Sequence, residues 1–334
     1  MRGSGHAVVM RTAAVVIGRN EADKLSRALH SVLPVASPVV YVDSGSTDGS
    51  ADIAAAMGVH VVRLSASKPF SVARARNEGF RHALAVSPDV EFVQFVDADS
   101  EMCPSWFEAA WAALEQDSRV AAAFGRLRER YPERSIFSRL YQAEFDAQFT
   151  QANACPGLSM VRTRALIETG GFIESMKGFE DTELSQTLRQ TGWRVARVDA
   201  QMALHEARMG TYRQWWRRQI RSGFARGQER VLCRAPRVGS SVRQSWSIWL
   251  WGLLVPLVTL VTAVKTHGAS LLLLTVYLLM IWRIRRRYLR LNPAFTSPGL
   301  YALSIMAGKV PEAIGLAQFQ LSHVCRDRRP GRRS

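Results

Sequence analysis

"VQFVDADSEM", residues 93–102, is an apolar run that ends in two carboxylates, Asp97 and Asp99, with one small residue between them. A short run rich in β-branched and aromatic residues, closed by polar ones, reads as a buried strand. Like charges at its end are stable only where water is plentiful or a positive partner sits against them. A divalent cation is such a partner, because residues i and i+2 of an extended segment face the same way and can address one ligand together. The competing reading of an isolated D-x-D is a solvated strand end leading into a helix that Asp99 or Ser100 caps.

The same pattern recurs on the N-terminal side. "AAVVIG" (13–18), "VVYVD" (39–43) and "VHVVRL" (59–64) read as further buried strands. Between them "EADKLSRALHSVL" (21–33), "SADIAAAMG" (50–58) and "SVARARNEGFRHALA" (71–85) carry apolar residues at helical spacing. Alternating strand and helix predicts a mostly parallel, Rossmann-like α/β sheet with helices on both faces, in which ligands bind beyond the carboxyl ends of the strands. Asn20, Glu21, Asp43, Asp97 and Asp99 all follow predicted strands and should share one rim.

With 47% hydrophobic and 22% charged residues in 334, the chain is not a disordered one. Its net charge of +16 is uneven: from Glu206 onward 22 Lys+Arg face 4 Asp+Glu, whereas the first 205 residues hold 22 against 24. The basic excess flanks apolar segments, which favours an anionic membrane over nucleic acid. Residues 244–264 form 21 uncharged positions and residues 266–282 another 17, lengths suited to crossing a ~30 Å hydrocarbon core. Arginines crowd outside both stretches, so a transmembrane hairpin with both outer ends in the cytosol is expected. The segment 299–321 carries Lys309, Pro311 and Glu312 near its middle; it reads as an interfacial or re-entrant helix, with a third span as the alternative. Cys103, Cys155, Cys233 and Cys325 lack C-x-x-C spacing and suggest free thiols rather than a zinc site. Arg11 interrupts the N-terminal apolar stretch, so no signal peptide is read there and the front of the chain is expected in the cytosol. The expected organisation is a catalytic domain over 1–205, a basic juxtamembrane region over 206–243, two transmembrane helices within 244–283, and a basic cytosolic segment over 284–334.

"VVYVDSGSTDGSADIA" (39–54) places Asp43 after a strand and before a Ser/Gly/Thr loop. It lacks G-x-G-x-x-G, which excludes the dinucleotide fingerprint, yet a carboxylate there can accept from ribose hydroxyls or a base N–H. In "GFEDTEL" (178–184) Asp181 and Thr182 can cap a helix, or Asp181 can serve as a general base. Arg74, Arg76 and Asn77 lie on the helix after the third strand, where they could face an anion. His205 in "MALHEAR" follows another short apolar run.

Together these motifs resemble a family 2 glycosyltransferase of GT-A fold, of the membrane-anchored bacterial type. "IGRNEADKLSRALHSVL" resembles that family's first strand and helix, although Gly18 and Arg19 depart from the more usual Pro and Tyr. "VDSGSTDGSADIA" resembles its nucleotide loop, "ARARNEGF" its Arg-Asn-x-Gly helix, "FVDADSEM" its D-x-D, and "GLSMVRTRALIETGGFIESMKGFEDTELSQTLRQTGWRV" its acceptor-side block; the likeness spans about residues 12–220. The resemblance implies a nucleotide-sugar donor held by Asn20, Glu21, Asp43, Arg74, Asn77 and Asp97. It implies Mg²⁺ or Mn²⁺ on Asp99, Asp97 and His205, with Asp181 as base and Glu180 beside it. It further implies inverting transfer; the apolar segments and the basic juxtamembrane stretch then make a lipid or lipid-linked glycan at the inner membrane the expected acceptor, as in building cell-envelope polysaccharide. "QWWRRQ" (214–219) has Arg218 where the processive synthases carry Trp; a single-sugar enzyme is therefore expected, with Trp215 and Trp216 at the lipid interface and Arg217, Arg218 and Arg221 near lipid phosphates. The rival readings are a Mg²⁺-dependent phosphoryl-transfer enzyme and a catalytically degenerate glycosyltransferase-like membrane scaffold.

Overall fold

The computed structural model describes residues 12–151, 155–234 and 239–327. The chain divides into two compact units. One holds the residues up to Tyr131 together with Gln151–Met176 and Glu180–Ala207; the other holds Pro132–Thr150, Lys177–Phe179 and everything from Arg208 onward.

The first unit is built on an eight-stranded sheet. Strands β1 (Thr12–Gly18), β2 (Val39–Asp43), β3 (His60–Arg63) and β4 (Phe92–Asp97) are parallel neighbours in the order β3-β2-β1-β4. They are the four strands read from the sequence. Beyond β4 the sheet continues through β7 (Met160–Arg162), β6 (Val120–Glu129), β8 (Arg194–His205) and β5 (Ser100–Met102). Here the direction mixes: β7 is antiparallel to both neighbours, β6 and β8 are parallel, and β5 is antiparallel to β8. The sequence reading had assigned no strand at β5, β6 or β7, which are short or Ala-rich.

Helix α1 (Ala22–Val32) buries Leu25, Ala28, Leu29 and Val32, the spacing of one helical stripe. Helix α2 (Ser50–Ala56) is short, and helix α3 (Val72–Val86) starts at Ser71, whose hydroxyl accepts from Arg74 N at 3.1 Å. Gly79 lets α3 lie against the sheet: a Cβ there would sit 2.3 Å from Val15 Cγ1 and 2.8 Å from Val42 Cγ2. The register pairs Gly18 with Asp43 and Ile17 with Asp97, so the acidic strand ends lie along one edge. Helices α4 (Pro104–Gln116), α6 (Thr163–Thr169) and α7 (Glu180–Gln190) complete this unit.

In the second unit, α5 (Ile136–Gln151) and α8 (Tyr212–Leu232) share a small core of Leu140, Met209 and Trp215. This corrects the interfacial placement of Trp215, which is 4% exposed. Arg218 likewise pairs with Glu144 at 2.7 Å and lies over the Tyr141 ring, while Arg217 and Arg221 remain exposed. Helix α9 (Gly239–Trp249) continues through a π-helical turn at Leu250–Leu254 into α10 (Val255–Ala263). Val242–Ala263 is thus one 22-residue stretch long and apolar enough to cross a membrane, and it is mostly exposed.

The second expected span is not such a helix. After Gly268 the chain forms a 3₁₀ segment, Ala269–Leu274, and then α11 (Thr275–Leu291), whose last turns carry Arg283, Arg285, Arg286, Arg287 and Arg290. The apolar and basic halves belong to one helix, so the expected hairpin of two spanning helices within 244–283 is not found; the second candidate among the described residues is the bent pair Pro298–Ala307 and Lys309–His323, a broken span or a re-entrant loop by length and composition. The region 299–321 forms α12 (Pro298–Ala307) and α13 (Lys309–Asp327), bent by 40° at the break between them. Cys103 and Cys155 are free thiols; the side chain of Cys325, the N-terminal stretch before Thr12 and the basic tail after Asp327 lie outside the described residues.

Because the Gly79 gap is lined by branched side chains on a sheet, Gly79→Ala must push α3 away from β1 and β2. We expect a loss of about 1–3 kcal/mol, the usual cost of overpacking, read as a lowered thermal midpoint.

Candidate active site

The nucleotide-side rim is laced from two loops. Asn20, at φ +56°, donates its backbone N–H to Ser46 Oγ (3.0 Å) and accepts from Thr47 N at its Oδ1 (2.8 Å). Asp48 accepts from Ala22 N at 2.9 Å, and Glu21 N donates to Ser50 Oγ at 3.3 Å. Glu21 also pairs with the buried Lys24 at 3.4 Å. Asp43 is 4% exposed and its carboxylate accepts from Gly45 N and Ser46 N at 3.2 and 3.1 Å. The carboxylate that is expected to hold ribose or base thus also folds its own loop, and residues 47–49 are exposed.

Two more residues expected to contact the donor also make contacts within the protein. Arg74 Nη1 donates to the carbonyls of Ser65 and Lys68 at 3.1 and 2.9 Å, which ties down the segment before α3. Asn77 Nδ2 donates to Phe172 O (2.8 Å), and its Oδ1 accepts from Phe172 N (3.0 Å). That pair of bonds clasps the Gly170–Gly171 turn, where both residues have positive φ and a Cβ on Gly171 would meet Asn77 Oδ1 at 2.6 Å.

Arg76, one turn along the same helix, does the joining. Its side chain is 4% exposed; Nη2 reaches Asp97 at 3.3 Å and Nη1 reaches Glu180 at 3.0 Å. Gly157 makes room, since a Cβ there would sit 2.0 Å from Arg76 Nη2. Burial alone would lower the guanidinium's pKa, but Asp97 and Glu180 outweigh it and hold it above its usual range. Glu180 and Asp181 open α7, and Asp181 Oδ1 accepts from Thr182 N at 2.7 Å. Burial, helped by the neighbouring Glu180 charge, pushes the Asp181 carboxyl up to about 6 despite Arg76. A carboxyl poised near neutrality is what a general base requires.

The D-x-D divides. Residues 98 and 99 form a turn rather than extended chain, so the i, i+2 alignment is lost: Asp97 turns to Arg76 and Asp99 to His205. Asp99 Oδ2 lies 3.3 Å from His205 Nε2, and His205 Nδ1 lies 3.2 Å from Glu129 Oε2. Burial opposes charge on the imidazole, but the bonds to Asp99 and Glu129 prevail and push it up to about 10. Among the described residues no three acidic, His or Cys side chains converge on one point; Asp99 and His205 are the adjacent pair of the expected ligands. Carboxylate oxygen with imidazole nitrogen is nonetheless a donor set that fits Mn²⁺, and the carboxylates alone fit Mg²⁺. Neither the Arg76 bridge nor Glu129 was assigned from sequence; Glu129 sits in "GRLRER", which carries no motif.

Residues 13–169 match the family model described as glycosyl transferase family 2. An uncharacterized glycosyltransferase of Rickettsia felis is 32% identical over 114 residues, 33% of this chain and 38% of that protein. Its Rickettsia conorii counterpart is 33% identical over the same shares, so the match spans well under half of these relatives' length. Among solved structures, the mannosyltransferase PcManGT from Pyrobaculum calidifontis, in complex with GDP-Man and Mn²⁺, superposes with TM-score 0.62 at 16% identity over 93% of this chain and 87% of that one. S. aureus TarS 1–349 superposes with TM-score 0.50 at 15% identity over 93% and 92%. These likenesses establish the GT-A fold.

Replacing Arg76 by Met leaves the buried Glu180 and the half-buried Asp97 facing an apolar side chain. We expect a stability loss of about 1–3 kcal/mol, below that of a fully buried broken pair because water reaches Asp97. The deficit against wild type should shrink from pH 8 to pH 5 as Asp97, whose carboxyl burial already raises, takes up a proton, which thermal melts at both pH values would read.

Proposed function

With residues 13–169 a glycosyltransferase family 2 domain, we propose that the chain transfers one sugar, with inversion, from a nucleotide-diphosphate donor to a lipid or lipid-linked glycan acceptor. The observation that carries the reading is the Arg76 bridge, which ties the D-x-D carboxylate Asp97 to Glu180 beside Asp181. It sets a donor-side acid and an acceptor-side base in one cleft wall.

In this mechanism the acceptor hydroxyl attacks the anomeric carbon while Asp181 takes its proton, and the bond from that carbon to the diphosphate oxygen breaks. A base raised to about 6 is ionised at neutral pH yet basic enough to accept the proton. Glu180 stays with Arg76 and keeps the first turn of α7 in place. Asp99 and His205 would hold a divalent cation, which supplies positive charge against the departing diphosphate. The loops over 19–22 and 44–49, bound to one another by Asn20 and Asp48, form the wall offered to the nucleoside.

The acceptor assignment rests on the exposed apolar helix Val242–Ala263 and on the arginines of α11. A lipid bilayer supplies both an apolar interior for the first and phosphates for the second. Attachment through this one helix, with the catalytic unit in the cytosol, is the localisation we propose.

Transfer from UDP- or GDP-sugars by the full chain should be abolished by EDTA and restored by Mn²⁺; activity indifferent to chelation would remove the cation from the scheme. Release of inorganic phosphate instead of nucleoside diphosphate would point to phosphoryl transfer. Asp181→Asn should lower kcat by at least ~10²-fold, the scale of general-base catalysis. In wild type, kcat should fall as pH drops through about 6, because protonation removes the base, and that limb should be missing from the residual activity of the variant. Leu260→Arg with Val261→Arg should move the protein from the membrane to the soluble fraction on flotation.

A further inference from the structure

Strand β8 lies between β6 and β5, and the ladder sets three residues in one row: Glu129 of β6 opposite His205 of β8, and His205 opposite Ser100 of β5. Neighbours across a ladder project to the same face of the sheet, and Asp99 immediately precedes Ser100. The Glu129 side chain is 1% exposed. Its carboxylate is already fixed by Ala207 N, which donates to both oxygens at 3.2 and 3.3 Å. An ionised carboxylate only accepts hydrogen bonds, so the His205 Nδ1 it faces at 3.2 Å must carry a proton. With Nδ1 held by Glu129, a cation that displaces the other ring proton would meet the lone pair on Nε2, the nitrogen that faces Asp99.

We propose that Glu129 is a positioning residue that locks His205 in the Nδ1–H tautomer, aims Nε2 at a cation held by Asp99, and thereby biases the site toward Mn²⁺ over Mg²⁺. The inference rests on the reading that a divalent cation is bound at Asp99. The selectivity follows from ligand type: imidazole suits transition metals, whereas Mg²⁺ keeps to oxygen. A carboxylate behind a ligating histidine also raises the basicity of the ring and fixes its orientation.

The test uses the full chain in detergent, titrated with Mn²⁺ alone and with Mn²⁺ plus UDP or GDP, followed by electron paramagnetic resonance with Mg²⁺ as competitor. Wild type should show ¹⁴N modulation of the Mn²⁺ spin echo, and His205→Ala should abolish it. Glu129→Ala should weaken Mn²⁺ binding by about 10–100-fold, the usual range for such a partner, with a falling Mn²⁺/Mg²⁺ selectivity ratio. Glu129→Gln keeps an acceptor for Nδ1–H but loses the charge; it should retain the ¹⁴N signal and bind Mn²⁺ a few-fold less tightly. A selectivity ratio and ¹⁴N signal unchanged in Glu129→Ala overturn the proposal. If that variant does not fold by circular dichroism, wild-type Mn²⁺ affinity in Glu129→Gln overturns it. Mn²⁺ bound to wild type without ¹⁴N modulation defeats this inference alone, whereas no binding of either metal in any arm also removes the cation from the proposed function.

Discussion

A single buried guanidinium holds the site together. Arg76 contributes one Nη to Asp97 at the end of β4 and the other to Glu180 at the start of α7. A guanidinium is always charged and offers its donors in a fixed fork, so it can satisfy two carboxylates on different elements at once. Removing such a cation from water is costly, and only paired charges with complete hydrogen bonding offset that cost. The surroundings meet part of this demand: both Nη atoms are paired, Gly157 supplies the space, and Phe172 presents its ring 5.5 Å from the guanidinium carbon, while Nε is buried without a hydrogen-bond partner. Asn77, the next residue, clasps the glycine turn that delivers Phe172. One turn of α3 therefore fixes both the end of β4 and the start of α7.

The same constraint explains the division of labour among the carboxylates. Asp97 is committed to Arg76, Asp43 to its own loop, and Glu180 to the bridge. Asp99 and Asp181 are the two whose surroundings diverge most. His205 keeps Asp99 below the usual carboxylate range despite its burial, while burial and Glu180 raise Asp181. One carboxylate stays ionised and suited to a cation; the other is poised to exchange a proton. Environments that push acidic groups apart in this way separate their chemical roles.

Much of this was legible in the sequence where one local rule governs. The four strands β1 to β4 are short apolar runs closed by polar residues, and their helices carry a single buried stripe, so period and length sufficed. Asp99, His205, Glu180 and Asp181 follow strands or glycines at positions that the motif order singles out. What failed was direction. The pair Asp97 and Asp99 was read as extended chain, but the turn at 98–99 sends the two side chains to different partners. Arg74 and Asn77 look like anion ligands in "ARARNEGF", yet Arg74 also holds carbonyls of the segment just before its helix and Asn77 that of Phe172, 95 residues on. Glu129 is invisible because its role comes from strand pairing with β8, a contact 76 residues apart that no local pattern encodes.

The second unit shows the same limit at larger scale. Counting uncharged residues found a stretch of spanning length in 266–282, but α11 joins its apolar end to an arginine-rich one in a single helix. Tyr288, among those arginines, is buried with Ala143, Ala147 and Phe295. An anchor of that kind holds the basic half on the unit's own surface, so the helix is amphipathic in use although apolar by count. Helices α8 and α13, by contrast, read as polar or broken, yet they pack closely through small residues. A Cβ on Gly223 would sit 2.0 Å from the Glu312 carbonyl oxygen, and one on Gly315 would sit 1.9 Å from that of Ile220. Gly223 and Gly227 are spaced i and i+4, the pattern that lets two helical backbones approach. The break before α13 places Lys309 and Glu312 in a 3.1 Å pair in its first turn. Mutual pairing satisfies two charges that an apolar count treats only as obstacles, which is why charge-free length alone misjudges both ends of this unit.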